Sequence, residues 1–171
     1  MQFDGKAAIV TGGGYGIGKG IALALAKDGA DVAVAARNEK ALKETAGEIE
    51  RLGRKSLVLV VDLLNPDAPE MIVDKTMKKF GKIDILVNNS GQEGPIKNVA
   101  EMDLQGWNDL LAVNLTGAML CSRYALEKSM IPNKNGVIIN ISSAAGRRGI
   151  ATRSAYSSSK FALIALTQSR Q

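Results

Sequence analysis

The feature that most constrains this chain is Thr11-Gly12-Gly13-Gly14-Tyr15-Gly16-Ile17-Gly18, set between a short apolar run and an amphipathic stretch. Glycine adopts backbone conformations closed to other residues, so such a run between two periodic segments marks a tight strand-to-helix turn. In a dinucleotide-binding turn of this kind Gly12 permits the bend, Gly16 lets the backbone approach a pyrophosphate, and Gly18 allows close helix–strand packing. The exposed N–H groups and the positive end of the helix dipole then face the phosphates. Gly12, Gly14, Tyr15, Gly16, Ile17 and Gly18 are therefore the candidate cradle. A bare glycine string is weak evidence, and a connector without a ligand is the alternative; position in the first strand–helix turn is what gives it weight.

The rest of the chain repeats the alternation of short apolar runs with longer amphipathic stretches that marks βαβ units. Strands are expected at Ala7–Thr11, Asp31–Ala35, Ser56–Val61, Ile83–Val87 and Val137–Ile141, and helices at Ile17–Lys27, Glu39–Leu52, from near Pro66 to Phe80, Met102–Met130 and Ala155–Gln168, the last continuing to the chain's end. The strands are apolar on both faces, as in a parallel sheet covered by helices on each side. The expected fold is a doubly wound α/β Rossmann domain of five strands in the order 3-2-1-4-5, one domain over residues 1–171. Val137–Ile141 would be an apolar edge strand, which natural sheets usually cover, and the final helix lacks a glycine stop; the chain is expected to be the first part of a longer one.

Composition removes several chemistries. The chain has no histidine and one cysteine, Cys121, which excludes His-based metal sites, a Ser-His-Asp triad, a histidine base and an internal disulfide. No metal site is expected, and the lone thiol points to a reducing compartment, the cytoplasm. No apolar run approaches the roughly 18 residues that cross a bilayer, and the N-terminus does not resemble a signal peptide. Charge is uneven: residues 1–114 carry 14 basic and 16 acidic side chains, whereas residues 115–171 carry 8 basic side chains and only Glu127. A basic end can attract nucleic acid or an acidic ligand, or be balanced by a downstream segment. Nucleic acid is a poor reading, because the chain holds only seven aromatic residues and several fall at expected core or catalytic positions.

Two further sites carry chemistry. NAD-binding turns place an acid about 20 residues after the glycines, where it binds the ribose hydroxyls. Here the second strand ends Ala35-Ala36-Arg37-Asn38, with no acid. A carboxylate would repel a 2′-phosphate, whereas Arg37 can bind one with paired N–H donors, so NADP(H) is favoured over NAD(H). A solvated strand-end arginine is the other reading. Asp62, after the third strand, either accepts from an adenine amino group or caps a turn. Tyr156 and Lys160, four apart, share a helix face. A phenol titrates near 10, and an adjacent ammonium stabilises its ionised form, which makes the pair a credible proton donor and acceptor in a chain without histidine. Ser143 follows the fifth strand and can donate to a carbonyl oxygen. Tyr-x-x-x-Lys alone is common on helix surfaces and decides nothing by itself.

In combination these motifs resemble the short-chain dehydrogenase/reductase family: the glycine turn, Asn88-Asn89-Ser90-Gly91, Asn114 in Val-Asn-Leu, Ile141-Ser142-Ser143 and Tyr156-x-x-x-Lys160 occur in family order and spacing across the whole chain. Ser90 departs from the family's usual alanine. The resemblance implies Tyr156 as proton donor and acceptor, Ser143 as the group polarising the carbonyl, Lys160 as the cation beside the tyrosine and on the nicotinamide ribose, and Asn114 as the anchor of a water linking lysine to solvent. It places Asp62, Leu63, Asn89, Ser90 and Gly91 along the cofactor and Asn88 in the groove, and continues with further strands and a substrate-binding segment. It implies hydride transfer between a nicotinamide and a carbonyl or secondary alcohol. Within the family the sequence looks most like 3-oxoacyl-carrier-protein reductases, so the substrate is expected to be a small ketone, carrier- or CoA-linked. Arg147, Arg148 and Arg153 would meet an acidic carrier or remain solvated. A homodimer or tetramer is expected. A non-catalytic dinucleotide-binding module is the competing reading.

Overall fold

The computed structural model describes residues 1–169. Five parallel strands, β1 (Ala7–Thr11), β2 (Asp31–Ala36), β3 (Ser56–Val60), β4 (Ile85–Asn88) and β5 (Val137–Asn140), form one sheet in the order β3-β2-β1-β4-β5. The helices are α1 (Gly16–Lys27), α2 (Glu39–Arg51), α3 (Ala68–Phe80), α4 (Leu104–Leu111), α5 (Gly117–Ala125) and α6 (Ser154–Gln168). The expectation that the last helix runs on to the chain's end falls on residues 170–171, outside the described residues.

The period of two along each strand sorts the core into two layers. Ala8 and Val10 of β1, Val32 and Val34 of β2, and Ile85 and Val87 of β4 pack with Ala22, Leu25 and Ala26 of α1 and Leu42 and Ile49 of α2. The intervening residues Ile9, Ala33, Ala35 and Leu86 pack on the opposite face with Ile72 and Val73 of α3 and Cys121 and Ala125 of α5. Burial pushes the Cys121 thiol up to about 12, so it is a core residue without thiolate chemistry. β5 lies at the sheet's edge, with Val137 and Ile139 exposed.

Three expectations shift. β4 begins at Ile85 rather than Ile83: the Ile83 N–H and carbonyl are both bonded to Ser129 Oγ, at 2.8 and 3.1 Å, instead of to a neighbouring strand. α3 begins at Ala68, with Pro69 in its first turn, where its missing N–H costs nothing. The helix expected over 102–130 starts at Leu104, and its hydrogen-bond pattern widens into π-helical turns at Ala112–Thr116 and Leu126–Met130. Single π turns recur at functional sites, and the first of these holds Asn114.

Asp84 closes the N-terminal end of the sheet. Its carboxylate accepts from the Ala7 N–H and from Lys6 Nζ, each at 3.0 Å, from Asn135 Nδ2 at 2.9 Å, and pairs with Lys82 at 3.2 Å. Burial pushes this carboxyl up, but the Ala7 N–H and the two ammonium groups outweigh it and hold it below its ordinary value. A depressed carboxylate stabilises the fold above its unfolded pKa, and that contribution is lost as pH falls through the folded value. Asp84→Ala is expected to lower unfolding free energy by about 2–3 kcal/mol at pH 7, the effect of orphaning a buried N–H and breaking a partly buried ion pair. Urea unfolding reads it, and the gap to the unsubstituted protein should narrow below about pH 4.

Candidate active site

The chain reverses direction across the sheet between β1 and β4, where ligands of open α/β sheets bind. Beyond the carboxyl ends of these strands lies a cleft of about 300 Å³, walled by the glycine turn, the ends of β2 and β3, and the loop after β4. Gly12, Gly14, Tyr15, Arg37, Asp62, Leu63, Asn89, Ser90 and Gly91 all line it. Gly16 and Ile17 stand exposed at the start of α1, and Gly18 is buried beneath the turn.

Glycine is required here for two reasons. Gly12 and Gly16 hold positive φ angles of 67° and 49°. A Cβ on Gly18 would run into the Gly12 carbonyl oxygen and Asn89 Nδ2, so its role extends beyond helix–strand packing to letting the turn fold over α1. A Cβ on Gly16, by contrast, would meet nothing within 4 Å. The first turn of α1 has neither an acidic side chain nor a side-chain cap, which leaves its N–H groups free for an anion. These features fit the phosphates of a dinucleotide.

Thr11 clamps the two walls. Its hydroxyl donates to the Val87 carbonyl at 3.3 Å and accepts from the Asn89 and Ser90 N–H groups, each at 3.0 Å. Asn89 Nδ2 donates back to the Thr11 carbonyl at 2.9 Å. Asn88 is buried beneath the cleft rather than lining it: its Nδ2 donates to the Ala118 carbonyl, Ser122 Oγ and Asn140 Oδ1, tying β4 to α5 and β5. Arg37 and Asp62 approach to 4.0 Å, and Asp62 also accepts from the Leu64 N–H at 3.0 Å; the Arg37 side chain is well exposed and that of Asp62 partly so. A contact that long between exposed groups is worth little and leaves the guanidinium available.

Lys160 adjoins the cleft at Gly91, whose Cβ position lies 3.5 Å from its Nζ, and Tyr156 lies one turn before it on α6. They do share one face of α6, with Nζ 5.8 Å from the centre of the phenol ring. Lys160 is only 5% exposed and donates to the Ile141 carbonyl at 2.8 Å, at the end of β5. Burial lowers its pKa from the ordinary lysine value. Ser143 Oγ accepts from the Ala145 N–H at 3.2 Å, which leaves its own proton uncommitted by that bond.

Asn114 is fully buried in its π turn. Its Oδ1 accepts from the Gln92 N–H at 2.8 Å, and its Nδ2 donates to the Gln92 carbonyl at 2.9 Å and to Ser159 Oγ at 3.2 Å. Ser159 Oγ in turn donates to the Tyr156 carbonyl at 2.7 Å. Sequence reasoning missed Thr11, Gln92 and Ser159 as site residues. Ser159, directly before Lys160, was the one with a legible signal: a small polar residue on the inner side of the helix that carries the tyrosine. Of the three arginines, Arg153 is taken by Glu93 at 2.7 Å, whereas Arg147 and Arg148 stay exposed.

Among the described residues no helix is long and apolar enough to cross a membrane. A profile described as short chain dehydrogenase matches residues 6–171. An uncharacterised oxidoreductase of Thermotoga maritima is 43% identical over 169 residues, covering 99% of this chain and 66% of its own length. A 3beta-hydroxysteroid dehydrogenase of Mediterraneibacter gnavus is 35% identical over 167 residues, covering 98% and 60%. The crystal structure of an NAD+-bound xylitol dehydrogenase superposes with a TM-score of 0.92 at 35% identity, over 98% of this chain and 64% of that one. The chain thus spans a little under two thirds of the length of these relatives. With a profile matched almost end to end and relatives this similar, the chain belongs to the short chain dehydrogenase family.

Proposed function

We propose that the protein is an oxidoreductase that exchanges hydride between NADP(H) and a ketone or secondary alcohol, with Tyr156 as the proton donor in reduction and acceptor in oxidation. The observation that carries this reading is the Tyr156–Lys160 pair on one helix face, with Lys160 against Gly91 in the wall of the cleft. The bound nicotinamide would supply or accept the hydride. Gly12, Gly14, Tyr15, Gly16, Ile17 and Gly18 would hold its phosphates, Arg37 the 2′-phosphate, and Asp62, Leu63, Asn89, Ser90 and Gly91 the remaining length.

In reduction the Tyr156 hydroxyl gives its proton to the carbonyl oxygen as that oxygen becomes an alcohol. Ser143 Oγ donates a hydrogen bond to the same oxygen and stabilises charge developing there. Lys160 places a positive charge beside the ring, where it stabilises the phenol oxygen after proton loss. Asn114 holds Ser159, and with it the turn of α6 between Tyr156 and Lys160. Oxidation runs these transfers backwards.

NADP(H) preference is supported by the exposed Arg37 and the absence of acid at the end of β2. The xylitol dehydrogenase neighbour is bound to NAD+, so cofactor choice is the part to measure first. A 3-oxoacyl thioester is the first substrate class to try; the exposed Arg147 and Arg148 suit an acidic carrier or a phosphorylated tail. Homo-oligomerisation belongs to the same reading, supported by exposed Leu104, Met119 and Phe161 on α4, α5 and α6. So does the cytoplasm, supported by the single, buried cysteine.

The test is oxidation of NADPH and NADH by the intact protein across ketones and 3-oxoacyl thioesters. Turnover with a preference for NADPH of about tenfold or more is expected, since a phosphate–guanidinium contact is charge-assisted and bidentate. Ala36→Asp, which puts a carboxylate beside the 2′ position, should reverse that preference. Cofactor binding without turnover would favour the non-catalytic module; an unchanged preference in Ala36→Asp would remove Arg37 from the phosphate site.

A further inference from the structure

We infer that the Gln92 carboxamide is a positioning group for the proton-transfer residues: by donating to the Asp109 carbonyl of α4 it locks the loop after β4 onto the π turn that carries Asn114. This rests on the oxidoreductase reading above. No motif singles out Gln92, which follows Asn88-Asn89-Ser90-Gly91 in sequence. The structure gives it three bonds to one helical rod. Its backbone N–H and carbonyl grip the two ends of the Asn114 amide, at 2.8 and 2.9 Å, and its side-chain Nε2 reaches the Asp109 carbonyl at 3.3 Å, more than a turn earlier.

Two bonds to the end of one side chain hold the loop at a single point, the buried Asn114 amide, and leave it free to pivot there. A third bond, to the backbone of a different turn, removes that freedom. The Asp109 carbonyl can serve this use: it shares the Ala112 N–H with the Asn108 carbonyl, and a carbonyl oxygen has a second lone pair to accept from Gln92 Nε2. The consequence reaches both walls of the site. Asn114 holds Ser159, which holds the Tyr156 carbonyl, while the Gly91 Cβ position lies within 3.5 Å of Lys160 Nζ. A loop free to swivel would shift the cleft wall and the tyrosine turn relative to each other.

Substituting Gln92 leaves its backbone grips in place and removes only the carboxamide, so Gln92→Met isolates the effect. In the intact protein kcat should fall about five- to tenfold, the loss expected from one hydrogen bond made in the productive geometry, with KM for the carbonyl substrate changed by less than about twofold. Because Gln92 acts through Asn114, the Gln92→Met/Asn114→Ala double variant should be no slower than Asn114→Ala by more than about twofold, a failure of additivity that an unrelated structural defect would not give. Gln92→Glu keeps the size but turns an acceptor toward the carbonyl, and should lose at least as much as Gln92→Met. Independently of turnover, the Asn114 side-chain amide protons should exchange about tenfold faster in Gln92→Met by NMR. Unchanged kcat, additive losses or unchanged amide protection each overturn the assignment. A wild-type protein without turnover but with slower Asn114 exchange than Gln92→Met would sink the oxidoreductase reading and leave the Gln92 contact standing.

Discussion

Tyr156→Phe is expected to lower kcat by about 10²–10⁴-fold, the range lost when a positioned general acid–base is removed. Cofactor affinity should move by less than about twofold, because the ring remains and only the oxygen is lost. Folding should be little affected: the bond that ties Tyr156 to its neighbours runs from Ser159 Oγ to the Tyr156 backbone carbonyl, which phenylalanine keeps. The diagnostic is this separation. A variant that binds NADPH and melts normally but does not turn over places the phenol in the proton transfer. Wild-type rates in Tyr156→Phe would remove the mechanism, whatever the family resemblance.

The second large effect is predicted at Gly18. An alanine there would drive its Cβ into the Gly12 carbonyl oxygen and Asn89 Nδ2, with the Gly12 carbonyl carbon at 2.8 Å. The obstacle is mostly backbone, and that backbone is tied down, since Asn89 Nδ2 already donates to the Thr11 carbonyl. The turn would have to open. Gly18→Ala is expected to cost about 1–3 kcal/mol of stability through overpacking and to weaken dinucleotide binding about tenfold or more, because the N–H groups facing the phosphates are displaced with the turn. Gly20→Ala, two residues on in the same helix, is the control. A Cβ at Gly20 meets nothing within 4 Å, so that change should stabilise by about 0.5–1 kcal/mol through helix propensity. Thermal unfolding and cofactor titration of the pair read both signs. Equal effects at the two positions would show that helix propensity, not the packing of the turn, governs this site.

The Gly18 contrast shows where sequence reading stops. The glycine turn is legible as a strand-to-helix bend because glycine alone tolerates the required φ angles. That Gly18 must be small for close packing is legible from the motif; that Asn89, some seventy residues downstream, forms part of the obstacle beside the Gly12 carbonyl is not. Arg153 illustrates the same limit. Charge counting makes it one of three free cations before Tyr156, yet its guanidinium is paired with Glu93 at 2.7 Å. Asp84 falls inside the expected strand Ile83–Val87, and its carboxylate turns out to be the clamp on the start of β1.

From the chain alone came the βαβ alternation, the two-faced strands, the strand order and the shared helix face of Tyr156 and Lys160. All but the strand order follow from local pattern: an unbroken apolar run covers both faces of a strand, and a spacing of four stacks two side chains on a helix. The order 3-2-1-4-5 comes instead from the doubly wound fold that the glycine turn points to. The tertiary structure alone decided what those side chains touch. Gln92 on Asn114, Asn114 on Ser159 and Thr11 on Asn89 join residues 22, 45 and 78 positions apart. No short-range pattern encodes such contacts, because they exist only once the sheet has brought the carboxyl ends of β1 and β4 side by side.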